Sequence, residues 1–331
     1  MGNILSRVAP NKVAPGIIAP RAQNADFKKY FGAITNNGDT SAEKLYITTV
    51  EALNTEAAVS QQWQVANSKQ GYALGQIGLN YYFLQAYLEF DEKESAAFEA
   101  LSNGVGLLPF LESCAKQAIN QKRHKGALFG FGANEGLLAN AVAVNMVADS
   151  GGKTKLTEYN VSDLQARLAT QAREVMNATM NTSKPVVVAS SVRVINYLKT
   201  ALVPTATAVF NGSVESVAGV YGKILSDLAG TPVEFIADDL LKAGVNGDPT
   251  NDFILFIAPG SESIDIDESV SQDLVGDFNS IPYNTVMDSA EGLREYTRPE
   301  DLGVFSKKLV LKTTPGAALR SEAVRKLSIQ Y

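Results

Sequence analysis

Apolar and polar positions follow several different rhythms along this chain of 331 residues. Near the start, Val8-Ala9-Pro10, Val13-Ala14-Pro15 and Ile18-Ala19-Pro20 recur every five residues. Proline fixes φ and removes a backbone donor, so this stretch is expected to run extended, either as a tail or as an arm laid on a neighbour. Residues 45–90 are rich in Tyr, Val, Trp and Gln. A partly alternating run from Val59 to Ala66 and an aromatic run from Tyr72 to Phe90 flank the polar cluster Asn67-Ser68-Lys69-Gln70-Gly71, which predicts a long hairpin. Its arms are too polar to form a core alone and are expected to pack on a neighbour.

Helical spacing takes over at Asp91. Asp91 and Glu94 make a loose capping box, and Phe98, Leu101, Val105, Leu108, Leu111, Ala115 and Ile119 follow on one face. The pattern covers about 33 residues, roughly 50 Å of helix. Pro109, with Gly104 and Gly106 nearby, predicts a kink or break midway. A glycine- and alanine-rich section follows over 126–150. The spacing of Val161, Leu164, Leu168, Ala172, Val175 and Thr179 then predicts an amphipathic helix over 161–180, capped by Asn160. Pro185 to Ala189 reads as a buried strand. A second helix starts at Ser190 or Ser191 and runs through Val194, Ile195 and Leu198, and Val217 to Leu228 is a third. Val233 to Ala237 and Phe253 to Ala258 are further strands. This alternation predicts an α/β lobe from about 155 to 260. Beyond 261 the chain is acidic and loop-like. It ends in strands at Lys307 to Thr313 and in the final stretch to Tyr331, where the C-terminus is expected to rejoin the sheet begun before the lobe.

Length adds an expectation of roughly two domains. Hydrophobic residues at 45% and charged residues at 19% place the chain among ordinary globular proteins. No apolar run approaches the roughly 18 residues of a membrane span, and Pro10, Pro15 and Pro20 interrupt any signal-peptide pattern. Cys114 is the single cysteine, so no intrachain disulfide can form, which fits a reducing cytoplasm. The formal charge is −6, split into +3 over residues 1–40 and −9 over the rest. A duplex-DNA binder needs a dense basic face, and this composition does not supply one.

Candidate chemistry is sparse. Gly130-Phe131-Gly132 with Gly136 resembles part of a dinucleotide fingerprint, but Asp149 falls short of the acid expected about 20 residues on, and a tight structural turn is the better reading. His124, the only histidine, sits among Lys122, Arg123 and Lys125 and reads as a solvated helix end. No His-based triad or metal cluster can be built on it, and no nucleophile elbow or phosphate-binding loop is present. Asp265, Asp267 and Glu268, and likewise Asp248 and Asp252, cluster without calcium-loop spacing and read as solvated loops. Met1-Gly2-Asn3-Ile4-Leu5-Ser6 fits the short myristoylation pattern, which is common by chance. No catalytic, cofactor-binding or metal-binding residue is expected.

The order of segments resembles the major capsid proteins of tailed bacteriophages, with their Hong Kong 97-like fold. The resemblance is sharpest where the helical stretch Glu92 to Arg123 runs into Asn134-Glu135-Gly136-Leu137-Leu138-Ala139-Asn140. The family pattern there is a long spine helix followed by a gly-x-x-gly-leu-leu-asn loop, and this chain departs from it by Ala139 before Asn140. Asp163 to Met180, Pro185 to Ala189 and Ser191 to Thr200 then match an axial-domain helix, a strand and a short helix in the family order. The resemblance implies an α+β chain with an N-terminal arm (1–40), an extended hairpin loop (41–88) and a peripheral domain with the spine helix (89–154). An axial domain (155–260) and a return segment (261–331) complete it. It implies a non-enzymatic subunit, without cofactors, that self-assembles into pentamers and hexamers of an icosahedral head. Scaffold, portal and decoration proteins would be its partners. The shell would be built in the host cytoplasm and would enclose double-stranded DNA without sequence-specific binding or a membrane. An encapsulin-type compartment shell and a cytosolic nucleotide-dependent α/β enzyme using the Gly130 loop are the alternatives. Inter-subunit contacts are expected from Val8, Val13 and Ile18 on the arm and from Trp63, Tyr72, Tyr81, Tyr82 and Phe83 on the hairpin, because exposed apolar surface marks interfaces.

Overall fold

A computed structural model of the chain describes residues 26–35, 41–53, 71–101, 106–179, 185–200, 209–210, 213–214, 233–260, 284–289, 292–301 and 304–331. In chain order the strands and helices are β1 (Ala33–Thr35), β2 (Lys44–Leu53), β3 (Gly71–Asn80), β4 (Tyr82–Asp91), α1 (Glu92–Leu101), α2 (Leu107–Phe129) and β5 (Val142–Asn145). They continue as α3 (Val161–Thr179), β6 (Val186–Ser190), α4 (Val192–Thr200), β7 (Val209–Phe210), β8 (Ser213–Val214), β9 (Val233–Ala237) and β10 (Asn251–Ile257). The last are β11 (Thr285–Asp288), β12 (Arg294–Asp301), β13 (Val304–Thr313), β14 (Ala317–Ala318) and β15 (Val324–Gln330). The described residues fall into two compact units, one holding Leu84–Lys122 and Leu293–Leu311, the other Asn24–Phe83, Arg123–Gly292 and Lys312–Tyr331.

The larger unit is organised by a mixed sheet in the order β5-β15-β10-β6-β9. β10 is antiparallel to both neighbours, with Ile254 opposite Leu327 and Phe256 opposite Val188. Val186–Ala189 of β6 and Phe253–Ile257 of β10 are unbroken apolar runs, the pattern of strands covered on both faces. On one face Val188, Ile254, Phe256 and Leu327 form a core with Leu164, Leu168 and Val175 of α3 and Leu198 of α4. On the other, Val187, Leu255, Ile257 and Val324 form a core with Phe27, Tyr30, Leu128, Leu137 and Met287. Asn160 starts α3 as expected, its Oδ1 accepting the Ser162 N–H at 2.9 Å. The C-terminal strand β15 takes an interior place in this sheet, parallel to β5 on one side and antiparallel to β10 on the other.

The hairpin differs from the sequence expectation. Its first strand is β2, paired with β3 from Lys44 opposite Asn80 to Leu53 opposite Gly71. The run Val59 to Ala66 lies outside the described residues, and the aromatic run Tyr72 to Phe90 is split at Tyr81 into β3 and β4, which belong to different sheets. The physical reason is burial at the hairpin base, where Ile47 and Leu79 are buried with Val286 and Ala317. The third expected helix, Val217 to Leu228, also lies outside the described residues.

The smaller unit carries a three-stranded sheet in the order β12-β13-β4, together with α1 and most of α2. β4 and the first part of β13 alternate. Leu88 of β4 and Lys307, Leu309 and Leu311 of β13 are buried, while Gln85, Tyr87 and Glu89 are exposed. On the covered side Phe90 meets Phe305 at 5.1 Å between ring centres. Lys307 reaches Glu112 of α2 and Glu295 of β12, each at 2.6 Å. The capping box is present, with the Glu94 N–H donating to Asp91 Oδ1 at 2.7 Å and the Asp91 N–H to Glu94 Oε2 at 3.3 Å. The expected break in the long helical pattern separates α1 from α2. Pro109 falls in the first turn of α2, where a missing N–H leaves no helical bond unmade.

Candidate functional site

Four buried or half-buried carboxylates act as joints between distant parts of the larger unit. Asp238 accepts Tyr30 Oη at 2.7 Å, pairs with His124 Nε2 at 2.6 Å and caps the turn after β9 through the Leu240 N–H at 3.0 Å. Phe27 stacks on the His124 ring at 5.1 Å. His124 is 6% exposed, so the expected solvated helix end is instead a core residue. The sequence signal was its place three and four residues before Ala127 and Leu128, both fully buried. The cationic neighbours Lys122, Arg123 and Lys125 masked it. Burial, and then the Asp238 charge, raise the Tyr30 hydroxyl well above its ordinary value, so it stays a donor.

Asp252 is held by Arg193, whose Nε donates at 2.8 Å, by Ser191 and by the Ala243 N–H at 2.8 Å. Burial alone would raise this carboxyl, but those hydrogen bonds outweigh it and leave the group below its ordinary range. Asp288 accepts from Thr35 and from Tyr81 Oη, the latter at 2.5 Å. Glu135 accepts Asn80 Nδ2 at 3.1 Å, Tyr82 Oη at 2.9 Å and the Gly132 N–H at 2.9 Å. Burial again opposes ionisation there, and the hydrogen bonds again lower the carboxyl overall. These partners account for the Gly130 loop. Gly130 and Gly136 have φ of 72° and 87°, and a Cβ on Gly136 would stand 2.4 Å from the Gly130 nitrogen. The turn lets the Leu137 and Leu138 N–H groups cap the last carbonyls of α2, at 3.1 and 2.9 Å, and buries Leu137. It is built around its own Glu135. Among the described residues no group of three His, Cys, Asp or Glu is placed to hold a metal, and no helix is long and apolar enough to cross a membrane.

Of the expected contact residues, Val8, Val13, Ile18 and Trp63 lie outside the described residues, and Tyr72 lies in β3 without a described side chain. Tyr81 and Tyr82 are half-buried and bonded within the chain to Asp288 and Glu135. Phe83 is 59% exposed, with Lys312 Nζ 5.5 Å from its ring centre. Sequence reasoning missed a further exposed patch in the smaller unit. There the open face of the β12-β13-β4 sheet forms a cleft of about 540 Å³ lined by Tyr87, Tyr296, Arg298, Ser306 and Lys308 with Gln85 and Ala86. Tyr87 and Tyr296 are 59% and 51% exposed. The arrangement offers surface and charge for binding, with no activated nucleophile among its lining residues.

Comparisons with known proteins place this geometry. No family model matches the chain, and no curated sequence is similar to it. Solved structures are similar over nearly its whole length. The capsid of the Myoviridae phage XM1 matches with a TM-score of 0.66 and 14% identity, covering 96% of each chain. The capsid of a native GTA particle matches with a TM-score of 0.62 and 13% identity, covering 98% of this chain and 96% of that one. The capsid of the cyanophage P-SCSP1u matches at 0.56 and 13%, covering 96% and 91%. The chain therefore has the fold of phage capsid subunits, in agreement with the Hong Kong 97-like architecture its segment order resembles.

Proposed function

We propose that this chain is the major capsid protein of a tailed-phage-type particle, a structural subunit that self-assembles into a closed shell around double-stranded DNA. The observation that carries the reading is the fold likeness to capsid subunits over almost the full length of both chains. Two further facts support it. The described polar networks are spent on joining segments of the chain, and aromatic groups are left exposed on strands. One sequence in a closed shell meets several slightly different neighbourhoods, so rigid lobes and adaptable extended segments suit the task. Pentamers and hexamers are the assembly units, with scaffold, portal and a decoration protein as partners, in the virion and, during assembly, in the host cytoplasm. The subunit catalyses nothing and encloses its DNA without sequence-specific binding. Residues 1–40 serve as an arm, 41–88 as the extended loop, 89–154 as the peripheral domain, 155–260 as the axial domain and 261–331 as the return. Val8, Val13, Ile18, Trp63, Tyr72 and the exposed Phe83 supply contacts between subunits, while Tyr81 and Tyr82 act chiefly within their own.

Expression of the full chain, alone and with the scaffold gene, followed by sedimentation and electron microscopy, tests this. Capsomers, tubes or shells are expected. A folded monomer that persists at high concentration even with scaffold present would overturn it.

A further inference from the structure

Among the described residues, the open face of the β12-β13-β4 sheet has no cover in its own unit. Tyr296 of β12 lies opposite Lys308 of β13, and Arg298 lies opposite Ser306. Lys308 and Arg298 are thus diagonal neighbours on one face, roughly 7 Å apart by the spacing of antiparallel strands. Among the described residues neither is paired with a carboxylate, whereas Lys307 on the covered side has two. Two half-exposed tyrosines flank this pair of cations.

The chain contains one stretch with the complementary chemistry. Residues 262–277 carry Glu262, Asp265, Asp267, Glu268, Asp273 and Asp277 and no lysine or arginine. Ile264 and Ile266 alternate with Asp265 and Asp267. In an extended segment that alternation sets the two aspartates on one side, also roughly 7 Å apart. Bound in an extended form, the run would match the spacing of the cations. The stretch 54–70, by contrast, contains only Glu56 and Lys69 and is neutral.

We infer that the Tyr87–Tyr296–Arg298–Lys308 face is the docking site for the acidic run 262–277 of a second copy of this chain. The inference rests on the shell-forming function proposed above. Complementary charge at such a contact sets partner choice and register and makes association salt-dependent.

A charge swap tests it. Arg298→Glu with Lys308→Glu is expected to raise the concentration needed for assembly at least tenfold, and Asp265→Lys with Asp267→Lys to do the same. All four together should restore it, with circular dichroism of the free subunits unchanged throughout. Loss without rescue in folded subunits would overturn the proposal in favour of another anionic partner, such as the packaged DNA. Normal assembly of the first pair would overturn it outright. A second measurement leaves the charged pair on the face intact. In a Cys114→Ser background, one batch carries Tyr296→Cys and another Asp267→Cys, and the mixture is oxidised. Disulfide-linked dimers between the batches are expected. Wild-type shells with no such crosslink would contradict this contact alone, whereas wild-type protein that never assembles would contradict the proposed function.

Discussion

The two units of this chain solve the same problem in opposite ways. In the larger one, every residue of β6 and all but the first of β10 are buried, because helices cover one face of the sheet and the segments around Tyr30 and Leu137 cover the other. In the smaller one, β4 and the first part of β13 alternate, with Leu88 and Leu309 inward and Tyr87 outward, and Tyr296 of β12 is exposed. Antiparallel sheets tolerate one wet face, but half-exposed tyrosines beside cations with no carboxylate partner among the described residues are more than solubility requires. The larger sheet is complete within one chain. The smaller, on the inference above, is finished by a second copy. In the shell subunit proposed above, this divides the labour between a rigid body and a surface left for neighbours.

That contrast can be broken by mutation, and the largest effect belongs to the complete sheet. Phe256→Ala, at a fully buried site, is expected to destabilise the subunit by about 4 kcal/mol. The shift in urea midpoint of the unassembled protein measures it. Asp252→Ala comes next, at about 3 kcal/mol, because it strands Arg193 and Ser191 around a vanished charge. The same group predicts a pH dependence. Its folded value lies below the unfolded one, so its contribution is complete above the ordinary carboxylate range. It is lost as pH falls through that range toward the folded value. Glu135 acts with the same sign. Stability measured from neutral to acid pH should therefore fall, and Asp252→Asn should flatten the fall.

His124→Ala should cost about 2 kcal/mol by leaving the buried Asp238 short of a partner. A thermal melt of the free subunit reads this, and an unchanged melt would return His124 to the solvated role its cationic neighbours suggested. The smallest effect on the subunit is expected at the open face. Tyr87→Ala or Tyr296→Ala should leave subunit stability within about 0.5 kcal/mol while weakening assembly, as light scattering would show. Equal loss of subunit stability there would erase the distinction between the two units.

Local physics was legible in the sequence, and long-range pairing was not. The apolar runs at β6 and β10, the Asn160 cap and the Asp91–Glu94 box are each decided within a few residues and appear where expected. His124 was misread because its partner Asp238 is 114 residues away. The hairpin register was misplaced because Ile47 and Leu79 are fixed by Val286 and Ala317, far along the chain. The glycine loop could be assigned to a turn but not to Glu135 as its centre, since Asn80 and Tyr82 approach from the adjoining ends of β3 and β4, more than 50 residues away. The open face was invisible for the same reason. Nothing in the sequence says that Tyr296 stands opposite Lys308 until the register of β12 on β13 is known.

Hydrogen exchange of the free subunit and of the assembled particle tests the central claim most directly. Amides of β6 and β10 should exchange slowly in both states, while those of β4 and β12, the two edges of the smaller sheet, should gain protection only on assembly. Protection in β4 and β12 that is identical in subunit and particle would show that this sheet needs no neighbour, and would contradict the account.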